Sequence, residues 1–183
     1  MSPRVPLDRK SIVEAALAVM DEEGLHGVTV RRIAQRLGVQ PGALYRHIEG
    51  KQQLLDEMDA AMTVPELTAF SRPDDGQTWP EWLGARASAF RTAFLQHRDG
   101  ALLHATAHPV PGNDNVIARE LMLIIADGFT PEEAAQILFA ITQFTVGAAI
   151  EQQSADASRA QFFQATFELG LGAMLDGLRQ RQR

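Results

Sequence analysis

Apolar residues recur at spacings of three and four along almost the whole of this 183-residue chain, and no stretch alternates with period two over several β-branched residues. A chain patterned this way has helices to pack and no strands to pair, so its fold class is all-α. The helix ends are marked. Asp8 is placed to cap a first helix whose face of Ile12, Ala15, Ala16, Val19 and Met20 runs to Glu23 before Gly24. Thr29 can cap a short helix with Val30, Ile33, Ala34 and Leu37 inward, ended by Gly38, and Pro41 suits the first position of another through Leu44, Tyr45 and Ile48. A longer helix is predicted from Gly50 and Lys51 through Leu54, Leu55 and Met58, to Pro65 or slightly past it. After a polar break at 71–76, the capping boxes Thr78-Trp79-Pro80-Glu81 and Thr130-Pro131-Glu132-Glu133 open two further helices. Others are predicted around 116–126 and 158–178, with a loop at 108–112.

Composition removes several function classes. There are no cysteines, which excludes a disulfide framework, a thiolate zinc site and a cysteine nucleophile. The longest apolar run, 137–150, is interrupted by Thr142, Gln143 and Thr145, whereas a spanning helix needs roughly 20 apolar residues, so no membrane is expected. The first residues lack a signal-like apolar run, and a cytoplasmic location is the default. No Ser/His/Asp set or phosphate-cradling glycine loop stands out, and the paired Glu-x-x-His segments of a helical-bundle metalloenzyme are missing, so the chain does not read as an enzyme.

The formal charge of −6 would by itself argue against a nucleic-acid partner, but it is unevenly spread. Residues 1–51 hold eight Lys/Arg against six Asp/Glu, and all the excess acid lies beyond them. The division expected is therefore a basic head over 1–51 and an acidic body over 52–183. Within the head, residues 29–47 form two short helices around Gly38, with Ala34 small enough to let them cross, which is helix-turn-helix grammar. On spacing alone, a plain helical hairpin with solvated arginines fits as well.

The residues themselves decide between these. Thr29-Val30-Arg31-Arg32-Ile33-Ala34, then Leu37-Gly38-Val39, then Gly42-Ala43-Leu44-Tyr45-Arg46-His47-Ile48, with Lys51, Leu54 and Leu55, resemble the DNA-binding head of the tetracycline-repressor (TetR) family. The resemblance implies a three-helix head in which 40–47 enter the major groove of double-stranded DNA. It places Gln40 and Arg46 at base edges, and Arg31 on a guanine or a phosphate. Thr29, Tyr45, His47 and Lys51 would hold backbone phosphates, and Pro41, Gly42 and Ala43 offer apolar or backbone contacts.

In the body, the helix from Pro131 carries one stripe of Ala134, Ile137, Leu138, Ile141, Thr145 and Ala148 and another of Phe139, Val146 and Ile150. The last helix aligns Phe162, Thr166, Leu169, Ala173 and Gly177. One face can go to the core and the other needs a partner, so a homodimer through a four-helix interface is expected, on a palindromic operator. Trp79, Phe90, residues 97–101, His104, Pro109, residues 127–129, Phe144, Thr145, Gly147 and Glu151 resemble the ligand-binding core of the tetracycline-binding members of that family. That resemblance implies a small-molecule effector near Phe90, His104, His108, Glu120, Phe144 and Glu151. It also implies Mg2+ arriving with the effector, at His104 and at Glu151 reaching from the second subunit. The chain departs from those members at Leu67, Arg86, Ala107, His108 and Glu120, where they have histidine, asparagine, threonine, arginine and glutamine. The function expected is a one-component transcriptional repressor released by a small molecule. The alternatives are a DNA-binding adaptor whose body binds only protein, and a helical-bundle metalloenzyme.

Overall fold

The structure, a computed structural model, describes residues 7–70, 72–108 and 114–181. Among them are nine α-helices: α1 (Arg9–Glu23), α2 (Val30–Leu37), α3 (Pro41–Leu44), α4 (Lys51–Ala69), α5 (Trp79–Leu95), α6 (Gly100–Thr106), α7 (Asp114–Ala126), α8 (Pro131–Ser154) and α9 (Ala160–Arg181). No strand occurs among the described residues. The predicted loop at 108–112 lies almost wholly outside them, as do the side chains of residues 114–116.

Caps set most of these boundaries. Asp8 accepts from the Ser11 amide at 2.8 Å while Ser11 Oγ accepts from the Asp8 amide at 3.0 Å, a reciprocal box that starts α1. The Thr78–Glu81 and Thr130–Glu133 boxes start α5 and α8. Gly38 takes the left-handed conformation at φ 68° to end α2. Pro65 sits inside α4, which continues past it to Ala69.

Two predicted boundaries change and one helix is added. The third helix is a single turn ending at Leu44; Tyr45–His47 follow as turns, with the Ile48 amide still donating to the Leu44 carbonyl at 3.1 Å. The last helix is displaced toward the C-terminus, since a short 3-10 turn at Ala157–Arg159 precedes it. The α6 segment went unread because its N-cap residue, Asp99, lies in the left-handed region at φ 59° and caps nothing with its side chain.

Two clusters of buried residues form the core. The first gathers Ile12, Val19 and Met20 of α1, Ile33 of α2, Leu44 of α3, Leu54 and Met58 of α4, Phe90 and Phe94 of α5, Leu103 of α6 and Val146 and Ala149 of α8. The second joins Trp79, Trp82 and Leu83 of α5 to Ile124 of α7, Ile137, Leu138 and Ile141 of α8, and Phe167 and Leu171 of α9. The predicted second stripe of α8 is thus only partly outward: Val146 is buried and Ile150 packs on the first cluster, leaving Phe139 66% exposed. The α9 stripe is outward throughout, with Leu169 at 76% and Phe162, Thr166, Ala173 and Gly177 exposed. By length and composition α8 could cross a membrane, but its inner stripe is part of the second core cluster.

Candidate nucleic-acid interface and effector site

Ion pairs sort the cations of the head. Arg9 pairs with Glu57 at 2.9 Å, Lys10 with Glu14 at 3.8 Å, Arg32 with Glu23 at 3.2 Å and Arg36 with Glu22 at 2.8 Å. Arg31, Arg46 and Lys51 are exposed and have no ion pair among the described residues. The paired cations are held by the protein's own carboxylates; the other three keep their full charge for an external anion. They lie on α2, on the turn after α3 and at the first residue of α4. Tyr45 between them is 62% exposed, because burial of Leu44 and Ile48 on either side turns it outward. Gln40, Pro41 and Gly42 are exposed, and Ala43 and His47 half-buried. Thr29 accepts from the Arg32 amide at 3.3 Å as the N-cap of α2, so its oxygen is partly committed to the helix.

The expected effector residues divide into separate places. His104 on α6 is enclosed by Phe90, edge-on at 5.2 Å between ring centroids, and Phe94 at 5.0 Å. Its Nδ1 faces Asp59 Oδ1 of α4 at 2.9 Å. A carboxylate can only accept, so Nδ1 carries the proton and Nε2 is left to meet a ligand. Nearby, Arg86 of α5 and Glu120 of α7 form a buried bidentate pair, Nε to Oε1 at 2.5 Å and Nη2 to Oε2 at 3.0 Å. Burial raises the Glu120 carboxyl above the usual range, against the pull of Arg86. Two of the positions that depart from the tetracycline-binding pattern are therefore partners of each other. Sequence reading missed that pairing and also Asp59; no local signal marks contacts 34 and 45 residues apart.

The other three expected residues lie elsewhere. His108 donates its backbone N–H to Asp56 Oδ1 of α4 at 2.8 Å, and Gln52 Nε2 donates to the Thr106 carbonyl at 3.1 Å, tying the end of α6 to α4. Phe144 stacks on Phe167 at 5.6 Å, between α8 and α9. Glu151 is exposed on α8 and makes no hydrogen bond or ion pair among the described residues. No group of three or more His, Asp or Glu able to hold a metal ion occurs among the described residues. Among the described residues His104 therefore has no ready-made set of protein ligands around it, so most donors to a divalent ion here would have to come with the ligand.

The opposite end of α6 grips the head. His97 Nδ1 lies 3.1 Å from Asp21 Oδ2, the Arg98 amide donates to Asp21 Oδ1 at 3.0 Å, and Arg98 Nη1 donates to the Glu22 carbonyl at 3.0 Å. Helix α6 therefore connects the exit of α1 to the first turns of α4, with His104 between these two attachments.

A three-helix head with free cations around a helix-turn-helix, on a helical body with aromatic rings packed around His104, defines a DNA-binding regulator of the one-component kind. The chain belongs to the tetR family of bacterial regulatory proteins, whose model matches residues 12–58, and the tetracyclin repressor-like C-terminal domain matches 72–166. It is a ligand-responsive, DNA-binding transcriptional repressor. Among curated relatives, it is 37% identical to the class G tetracycline repressor protein of Vibrio anguillarum, over 82% of this chain and 71% of that one. Among solved structures, it resembles a single-residue variant of TetR from Acinetobacter baumannii AYE in complex with minocycline. That match has a TM-score of 0.89 and 35% identity over 97% and 99% of the two chains. Class A TetR with 5a,6-anhydrotetracycline and magnesium superposes at 0.82 with 35% identity, covering 95% and 99%. BioQ with its double-stranded DNA operator superposes at 0.74 with 28% identity, covering 94% and 98%.

Proposed function

We propose that residues 1–51 read a palindromic operator and that residues 52–183 form the effector-binding and dimerisation body. The observation that carries the DNA reading is the separation of Arg31, Arg46 and Lys51 from every carboxylate that neutralises their neighbours. In this reading Gln40 and Arg46 contact base edges, and Arg31 a guanine or phosphate. Thr29, Tyr45, His47 and Lys51 hold phosphates, while Pro41, Gly42 and Ala43 pass close to the groove wall. The dimer forms through the exposed face of α8 and α9, where Phe139, Phe162 and Leu169 stand in solvent in the single chain and a cavity of about 440 Å³ is lined by Gln136, Ala140, Ala173 and Gly177 among others. The chain acts where its operator lies, in the cytoplasm, and as a regulator rather than an enzyme. Its relatives, named as repressors, support that last point.

The effector binds against Phe90 and His104, bounded by Glu120 and, beyond α6, by His108. Phe144 and Glu151 contribute only if the second subunit or a rearrangement brings them near. Magnesium enters as an ion chelated by an effector, with His104 Nε2 as its protein donor. Release follows when the bound ligand favours a position of α6 that pulls α1 and α4 out of register with the two half-sites. The test is selection from random duplex DNA followed by release with a tetracycline panel, each compound with and without Mg2+, on the wild type and on His104→Ala. A two-fold symmetric site with half-sites about 34 Å apart is expected. Selected sites without symmetry would refute the dimeric operator, and ligand responses unchanged by His104→Ala would remove His104 from the effector site.

A further inference from the structure

The Arg86–Glu120 pair is more than a filled core. Arg86 is 5% exposed and Glu120 is completely buried, so both charges are held out of water. Their fork uses Nε and Nη2 of the guanidinium, and Nη1, on the side away from the carboxylate, is buried without a hydrogen-bond partner among the described residues. A buried N–H without an acceptor forfeits its hydration and receives nothing in return, so an oxygen brought to it by a ligand recovers that loss. The surroundings are aromatic and apolar. Arg86 lies over the Phe90 ring at 5.5 Å, Phe90 meets His104, and Leu67 is buried on α4. Arg86, Phe90 and Phe94 follow at intervals of four on α5, which puts the donor and the rings on one face.

Charge narrows the ligand further. Glu120 already neutralises Arg86, and Asp59 is a second buried carboxylate on the His104 side. An incoming carboxylate would add an uncompensated negative charge beside both; a carbonyl adds none. We propose that Arg86 Nη1 is the specificity-determining donor of the effector site and that the effector is an uncharged aromatic compound presenting a carbonyl oxygen to it. This deepens the proposed function and rests on its placing of the effector against Phe90 and His104.

Three bicyclic probes of similar shape separate the contributions by calorimetric titration of the full-length protein: 1-acetonaphthone, 1-ethylnaphthalene and 1-naphthoate. The ketone is expected to bind about tenfold tighter than the hydrocarbon, and the carboxylate more weakly than the ketone. Glu120→Gln leaves the guanidinium charge uncompensated and is expected to reverse that order, with naphthoate ahead of the ketone. The double variant R86M/E120L replaces the pair with apolar side chains of similar volume and is expected to bring ketone and hydrocarbon to within about twofold. If that variant fails to give a helical circular dichroism spectrum, Glu120→Gln decides alone. Equal binding of ketone and hydrocarbon by the wild type, tighter binding of naphthoate, or no binding of the ketone at about 1 mM overturns the proposal. So does an unreversed order in Glu120→Gln, or a ketone advantage surviving in a folded R86M/E120L. Operator binding by the same wild-type preparation is measured separately; its loss would sink the regulatory reading instead.

Discussion

The backbone N–H of Leu25 donates to Asp99 Oδ2 at 2.8 Å, joining residues 74 positions apart. The carboxylate reaches back to the exit of α1 because Asp99 is in the left-handed conformation, which a short polar side chain tolerates better than most. Asp99→Ala removes the acceptor and keeps the backbone strain, so a loss of about 1–3 kcal/mol is expected in urea unfolding. Asp99→Gly also loses the acceptor but relieves the strain, and should recover part of that loss. Equal stability of the wild type and Asp99→Ala would show that the bond does not hold the head to the body.

The free cations give a salt signature. Lys51→Ala is expected to weaken operator binding across sequences and to reduce the slope of log K against log salt by about one. Arg46→Ala is expected to cost about 1–3 kcal/mol and to relax preference at one operator position. Variants of the paired Arg9 or Arg36 should change the slope by less, since their charges are already partnered. A slope that drops equally for all four would contradict the division of cations.

Close packing at Gly170 makes a steric test. A Cβ there would approach Phe144 Cζ to 2.5 Å, and the Phe144 ring is stacked on Phe167. Gly170→Ala is expected to destabilise the α8–α9 contact by about 1–3 kcal/mol. Adding Phe144→Leu should restore much of the loss, because it removes the atoms in the way. Additive losses in the double variant would place the strain elsewhere.

Acid stability follows from the caps. The Thr130 amide, and then its hydroxyl, hold Glu133 below the usual carboxylate range, and the Thr78 hydroxyl and amide do the same to Glu81. A carboxylate with a lowered folded pKa contributes stability above its unfolded value, about 4.3, and loses it as pH falls through the folded one. Glu120 has the opposite sign: with a raised folded pKa, its contribution is greatest in acid and falls as pH rises past the unfolded value. Melting temperature is therefore expected to fall below about pH 4.3, and less steeply in Glu133→Gln, which keeps the acceptor without the titration. An identical acid limb in that variant would remove Glu133 from the account.

Local signals in the sequence identified the fold and several helix boundaries. Asp8, Thr78 and Thr130 reach their partners within three residues, so the starts of α1, α5 and α8 were readable, and the burial of Leu44 and Ile48 that turns Tyr45 outward follows from helical spacing. The α6 helix was not readable, because the side chain that would announce its start is occupied with Leu25. For the same reason no local pattern disclosed that Arg86 meets Glu120 or that Asp59 orients His104. By its period Val146 shares a stripe with the exposed Phe139, but the helix passes from one core cluster to the other along its length, and tertiary packing changes which face is inside.

The first core cluster has a consequence for how such regulators can be rebuilt. Its members run from Ile12 through Met58 to Phe94 and Ala149, so the helices of the head and those of the body share one buried cluster. Transplanting the first 51 residues onto another body would take α1 away from the α4 helix it packs on, and Asp21, Glu22 and Leu25 away from the 97–99 segment they bond. If residues 40–47 read the operator as proposed, substituting their exposed members Gln40, Pro41, Gly42, Tyr45 and Arg46 in place disturbs the core less than exchanging heads as modules.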